Sequence, residues 1–68
     1  MSEQTERIAA DLDALADELS DVAMAVLRAG LERIEDGSGE RAARTERELR
    51  RARSSVEKAA HLLRALEP

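Results

Sequence analysis

The sequence predicts an all-α fold, an antiparallel two-helix hairpin that dimerises into a four-helix bundle. Three observations support this prediction: two segments with apolar residues at alternating steps of three and four, one glycine-rich break between them, and a length of 68 residues without cysteine. A core this small rarely contributes more than about 3–5 kcal/mol, so small domains need a further source of stability. Because disulfides and thiolate metal sites are excluded, we expect self-association to supply it.

The first helix is predicted over about residues 3–35. Ser2 precedes it, and a serine hydroxyl in that place accepts a hydrogen bond from a free backbone N–H of the first turn. The main apolar pattern of this helix, called the large stripe here, is predicted to face the second helix. The large stripe comprises Ile8, Leu12, Leu15, Leu19, Val22 and Val26.

A second pattern on the first helix, the small stripe, repeats every seven residues and contains only small residues. One partner helix covers the large stripe, so the small stripe and the apolar residues near its end require a second subunit. We therefore predict that helix 1 crosses its own copy antiparallel at an oligomer interface. The predicted interface residues are Ala9, Ala16, Ala23, Leu27, Gly30, Leu31 and Ile34.

The break at residues 36–39 predicts a tight turn. Gly37 suits the left-handed conformation that ends a helix, and Ser38 suits the cap of the next one. Helix 2 is predicted over about residues 39–66. In the antiparallel register that this turn requires, Leu19 faces Val56 and Leu12 faces Leu63. The apolar pattern of helix 2 comprises Thr45, Leu49, Ala52, Val56, Ala59, Leu63 and Leu66.

Charge is divided unequally between the two helices. Residues 1–36 hold ten acidic and three basic side chains, a net charge of −7, whereas residues 37–68 hold five acidic and eight basic ones, a net charge of +3. This division predicts two hairpins packed end for end. Glu6, Asp13 or Asp17 of one chain would then approach the segment Arg44–Arg53 of the other.

The start of helix 2 holds six arginines within residues 41–53. Arg44, Arg47 and Arg51 are predicted to point outward, which makes them candidate contacts for an anion or a partner. The alternative function is therefore a nucleic-acid-associated module that uses this segment. Glu46 and Glu48 interrupt the run, the net charge of the chain is −4, and no aromatic residue is present for base stacking, so nucleic acid is the less favoured reading.

No catalytic, cofactor-binding or metal-binding residues are predicted. Glu57 and His61 are four residues apart, whereas the di-iron bundle motif places Glu and His three apart, and no phosphate-binding glycine loop is present. We expect a non-enzymatic interaction or adaptor module that binds itself as a homodimer, with another protein as a further partner and without cofactor. A cytoplasmic location and no membrane span are expected, because no targeting segment or long apolar run is visible.

Overall fold

The computed structural model describes residues 2–33 and 37–66. Helix α1 spans Glu3–Glu32 and helix α2 spans Ser38–Arg64. The helices pack side by side and antiparallel, so the all-helical hairpin is confirmed. The molecule is a flat plank with Cα extents of 54 × 14 × 8 Å, which gives it two broad faces.

The start of α1 follows the capping prediction. The backbone N–H of Thr5 donates to Ser2 Oγ at 3.1 Å, and Glu3 and Glu6 lie in the first turn near the positive end of the helix dipole. The helix ends at Glu32 because Arg33 is extended, with ψ 142°. The sequence predicts a helix to about residue 35, three residues longer. Ile34, Glu35 and Asp36 lie outside the described residues.

The turn uses its glycine and serine differently from the prediction. Gly37 adopts the expected left-handed conformation, with φ 81°, but it occupies the N-cap of α2. Ser38 is the first residue of α2 instead of its cap, and its side chain is buried. The Ser38 hydroxyl donates to the carbonyl oxygen of Gly30 at 3.5 Å, so it joins the two helices at the loop end.

The core of the hairpin consists of small residues. Among the described residues, no large side chain is fully buried. On α1 the buried residues are those of the small stripe, Ala9, Ala16, Ala23 and Gly30. On α2 they are Ser38, Ala42 and Ala60. The helices therefore meet along lines of small side chains, which permit axes near the short end of the usual range of about 8–10 Å.

This packing corrects the predicted role of the large stripe. Ile8, Leu15 and Val22 remain 41%, 50% and 47% exposed, while the alternate residues Leu12, Leu19 and Val26 are half-buried. The physical reason is the close approach of the backbones at the small stripe. This approach turns α1 so that the larger side chains flank the contact instead of filling it.

The register is antiparallel with the Gly37 turn at one end. Gly30 lies against Ala42, and Arg53 Nη1 donates to Ser20 Oγ at 2.9 Å. Leu12, Leu19, Val56 and Leu63 are each half-buried, which is less burial than the sequence suggested. The direct facing of Leu19 on Val56 and of Leu12 on Leu63 stays a prediction.

Two glycine variants test the close approach. A Cβ on Gly30 would overlap the Ala42 Cβ and lie 3.2 Å from the Ser38 carbonyl oxygen, whereas a Cβ on Gly39 meets nothing within 4 Å. Gly30→Ala should therefore lower the free energy of unfolding by about 1–3 kcal/mol, against the usual preference for alanine in a helix. Gly39→Ala should raise it by about 0.4–1 kcal/mol.

Urea unfolding followed by circular dichroism, at one protein concentration for all variants, measures both changes. A Gly30→Ala protein as stable as Gly39→Ala would show that the helices do not depend on this contact.

Candidate interaction surface

One broad side of the plank is apolar; we call it the apolar face. From α1 it presents the exposed Ile8, Leu15 and Val22, each seven residues from the next, and the half-buried Leu12, Leu19 and Val26. Steps of three and four place both sets on adjacent lines of one helix surface. The large stripe thus forms a partly exposed apolar surface along most of α1.

Helix α2 completes the apolar face. A groove at the loop end is lined from both helices, with Val26 and Ala29 on α1 and Ala42 and Thr45 on α2, and Arg33 and Arg41 flank it at the turn. These residues define which side of each helix belongs to the face, and steps of seven extend it along the plank. The α2 residues reached in this way are Leu49, Ala52, Val56, Ala59, Leu63 and Leu66.

The opposite broad side, the ion-paired face, ties the helices together with charged side chains. Arg64 Nη1 lies 2.7 Å from Asp13 Oδ2, and Arg64 Nη2 lies 3.1 Å from Glu6 Oε1. The pKa of the Arg64 guanidinium is raised, mainly by its hydrogen bond to Asp13 and secondly by its hydrogen bond to Glu6, so the group stays charged in all ordinary buffers. Further along the plank, Arg53 reaches Ser20 from the same side.

These ion pairs bear on the predicted contacts between chains. Glu6 and Asp13 were expected to meet the arginines of a second chain, but both carboxylates bind Arg64 of their own chain. The reason is geometric, because the antiparallel register brings the end of α2 alongside about the first three turns of α1. Asp17 is exposed, and an inter-chain role for it stays a prediction.

The predicted interface residues occupy three different environments. Ala9, Ala16, Ala23 and Gly30 are buried by α2 within one chain, so in this hairpin they offer almost no accessible area to a second subunit. Leu31 is 70% exposed and Leu27 half-buried, and with Met24 they line a shallow patch on the other side of α1. Ile34 lies outside the described residues. An interface role for Leu27 and Leu31 stays a prediction.

Sequence reasoning missed Ile8, Leu15 and Val22 as surface residues. Both stripes of α1 have the same spacing, so periodicity does not rank them. The signal available was side-chain size, because a line of Ala and Gly allows a closer helix contact than a line of Leu and Val.

The arginine-rich segment lies on the outer side of α2. Arg44, Arg47 and Arg51 are exposed, as predicted, and Arg51 pairs with Glu48 at 3.2 Å. Arg50 pairs with Glu46 at 2.8 Å. Within the described part of the chain, Arg44 and Arg47 form no ion pair. Glutamates thus offset part of the positive charge, but Arg41, Arg44 and Arg47 are exposed and form no ion pair with a described residue.

The described residues contain no group of three His, Cys, Asp or Glu side chains placed to hold a metal ion. His61 is exposed and Glu57 pairs with Arg53 at 3.4 Å. Neither described helix combines the length and apolar character that crossing a membrane requires. Comparisons with protein-family models, curated proteins and solved structures find no match to this chain.

The Arg64 contacts can be tested through their salt dependence. Arg64→Gln should lower the thermal midpoint in dilute buffer, because it removes the pairing with Asp13 and Glu6. The difference from the parent protein should shrink at 1 M NaCl, where the Debye length is roughly 3 Å. Lys58→Gln is the control, since Lys58 is exposed and makes no ion pair with a described residue.

Circular dichroism melting measures the thermal midpoint of each variant at low and high salt. If the midpoints of Arg64→Gln and Lys58→Gln depend equally on salt, Arg64 has no role in joining the helices.

Proposed function

We propose that this chain is a non-enzymatic interaction module that self-associates through the apolar face into a homo-oligomeric helical bundle. The observation that carries the proposal is the exposure of Ile8, Leu15 and Val22 in an unbroken line on one side of a two-helix plank. Contiguous exposed apolar surface with polar surroundings is typical of a protein–protein interface.

The energetics favour an interface that covers the whole face. Complete burial of a Val, Leu or Ile side chain is worth about 1.5–3 kcal/mol, so covering a half-exposed one gains roughly 1 kcal/mol. Three such residues on each of two chains give roughly 6 kcal/mol, near the low end of the association cost of about 4–15 kcal/mol. The half-buried Leu12, Leu19 and Val26 must therefore be covered as well.

The small core within each chain supports the same proposal. Because the helices of one hairpin meet through alanine and glycine, its large apolar side chains are satisfied only in part by its own fold. A second layer of helices would cover them, as in a four-helix bundle. Self-association would then bury the remaining apolar side chains of each hairpin in the same step that forms the assembly.

Sedimentation at micromolar concentration should give a species heavier than the 7.5 kDa chain. Leu15→Gln should shift the equilibrium toward the monomer by about tenfold or more in Kd, since it removes apolar burial from both copies of the face. Met24→Gln is the matched control: Met24 is similarly exposed, at 56%, but lies on the other side of α1.

A folded monomer of the parent chain would overturn the proposal. A stronger effect of Met24→Gln than of Leu15→Gln would move the interface to the Met24, Leu27 and Leu31 side. Circular dichroism spectra of each variant separate loss of association from loss of helix.

A second candidate, nucleic-acid association, is favoured by one observation: Arg44 and Arg47 are exposed on α2 and form no ion pair with a described residue. A shallow cationic groove lined by Arg47, Arg50, Arg51, Ser54 and Ser55 runs beside them. We expect binding to be weak and to lack sequence preference, because base-edge readout needs several converging side chains on one helix face.

Fluorescence anisotropy with a labelled duplex tests this expectation. Binding should be weaker than micromolar at physiological salt, and Arg47→Gln should weaken it to a similar extent for every sequence, because one phosphate contact is lost. Nanomolar binding to a defined sequence that falls steeply with added salt would favour the nucleic-acid function instead.

A further inference from the structure

We infer that a second copy covers the apolar face with its Gly37 turn at the same end, so that α1 of each chain packs on α2 of the other. This inference rests on the proposed self-association and specifies its geometry. The two simple twofold arrangements of such planks differ in their axis. An axis parallel to the helices places both turns at one end and α1 on α2; a perpendicular axis places them at opposite ends and each helix on its own copy.

Side-chain size distinguishes these arrangements. The α1 edge of the apolar face carries Ile8, Leu15 and Val22, whereas the equivalent line on α2 carries the small residues Thr45, Ala52 and Ala59 and ends in the exposed Leu66. With the turns at the same end, Leu15 and Val22 of each chain lie level with Ala59 and Ala52 of the other, and Ile8 lies level with Leu66 at the open end. Interlocking large and small residues across facing layers fills the space between them most evenly.

Charge favours the same arrangement. Residues 3–18 on α1 carry six acidic and one basic side chain, a net charge of −5. Residues 51–66 on α2 carry four basic and one acidic side chain, a net charge of +3. Glu6, Asp13 and Arg64 of these segments pair within their own chain on the ion-paired face. With the turns at the same end, α1 of each chain lies on α2 of the other, so the attraction acts through the net charges of the two helices and not through ion pairs on the apolar face. In the opposite arrangement α2 faces α2 and both bring positive charge, which opposes association.

The area of the face suits a second copy. The broad side of the plank measures 54 by 14 Å between Cα extremes, about 760 Å². A stable interface of standard size buries about 800 Å² on each partner. A copy of the same plank, laid along the full length, matches this area.

This geometry replaces the end-for-end dimer predicted from the sequence. That prediction placed the small stripe at the subunit interface, where helix 1 would cross its own copy. The small stripe is instead buried inside each hairpin, and the surface that remains available combines α1 and α2.

Spin-label distances test the orientation, and the absence of cysteine gives a clean background. Gln4→Cys and Glu40→Cys each place one nitroxide at an exposed position outside the apolar face, the first far from the turn and the second beside it. With the turns at the same end, each labelled variant alone should give an inter-chain distance of roughly 15–25 Å, the width of a bundle. A mixture of the two variants should add a separation of about 36 Å or more.

The other outcomes separate this inference from the function on which it rests. Long distances in each variant alone, with a short distance in the mixture, would overturn the same-end orientation while self-association stands. No inter-chain distance, together with a monomeric mass in sedimentation, would overturn both.

Discussion

The close approach of two helices along small residues is the constraint on which the structure depends. Gly30 lies directly against Ala42, and Ala9, Ala16 and Ala23 extend the contact along α1. A larger residue anywhere on this line would separate the backbones. Because the backbones lie close together, bulkier side chains flank the contact. Ile8, Leu15 and Val22 lie on one side, and Arg64 with its partners lies on the other, where Met24, Leu27 and Leu31 form a smaller apolar patch near the turn. The apolar face and the ion-paired face both follow from this arrangement.

The existence of the helices and of the turn could be predicted because both are local properties. Ser2 caps α1 as expected, and Gly37 adopts the left-handed conformation that a tight connection requires. Helical spacing also identified two stripes on α1. The antiparallel pairing follows from the short connection between the helices.

The choice between the two stripes could not be predicted from spacing, because Ala16 and Leu15 each belong to a pattern of the same period. That choice depends on how near the backbones come, a property of the packed pair. The same limit applies to Glu6 and Asp13. Their charge was evident from the sequence, but their pairing with Arg64 depends on the exact offset of the two helices. The unequal division of charge therefore indicates that acidic and basic segments meet, but it does not indicate whether they meet within one chain or between two chains.

The two broad faces of the plank differ in how far their side chains are paired or buried within one chain. The ion-paired face is satisfied within one chain by contacts such as that between Arg53 and Ser20. On the apolar face, Ile8, Leu15 and Val22 are left about half-exposed by their own chain. This is the surface from which we infer association. Between them, the outer side of α2 presents Arg44 and Arg47 to solvent. A bundle formed through the apolar face would leave this cationic edge accessible for a further partner.

The single turn at Gly37 also determines the order in which the hairpin can close. The contact of Gly30 with Ala42 spans twelve residues of chain, whereas that of Glu6 with Arg64 spans 58. Loop-closure entropy rises with the length of chain enclosed, so contacts beside the turn form at the lowest entropic cost. Contacts between the helices should therefore form first beside the turn and then progressively away from it. The contact of Arg64 with Glu6 should form last. The open end, where Ile8 lies, is then the part of the apolar face that frays first and gains most from being covered.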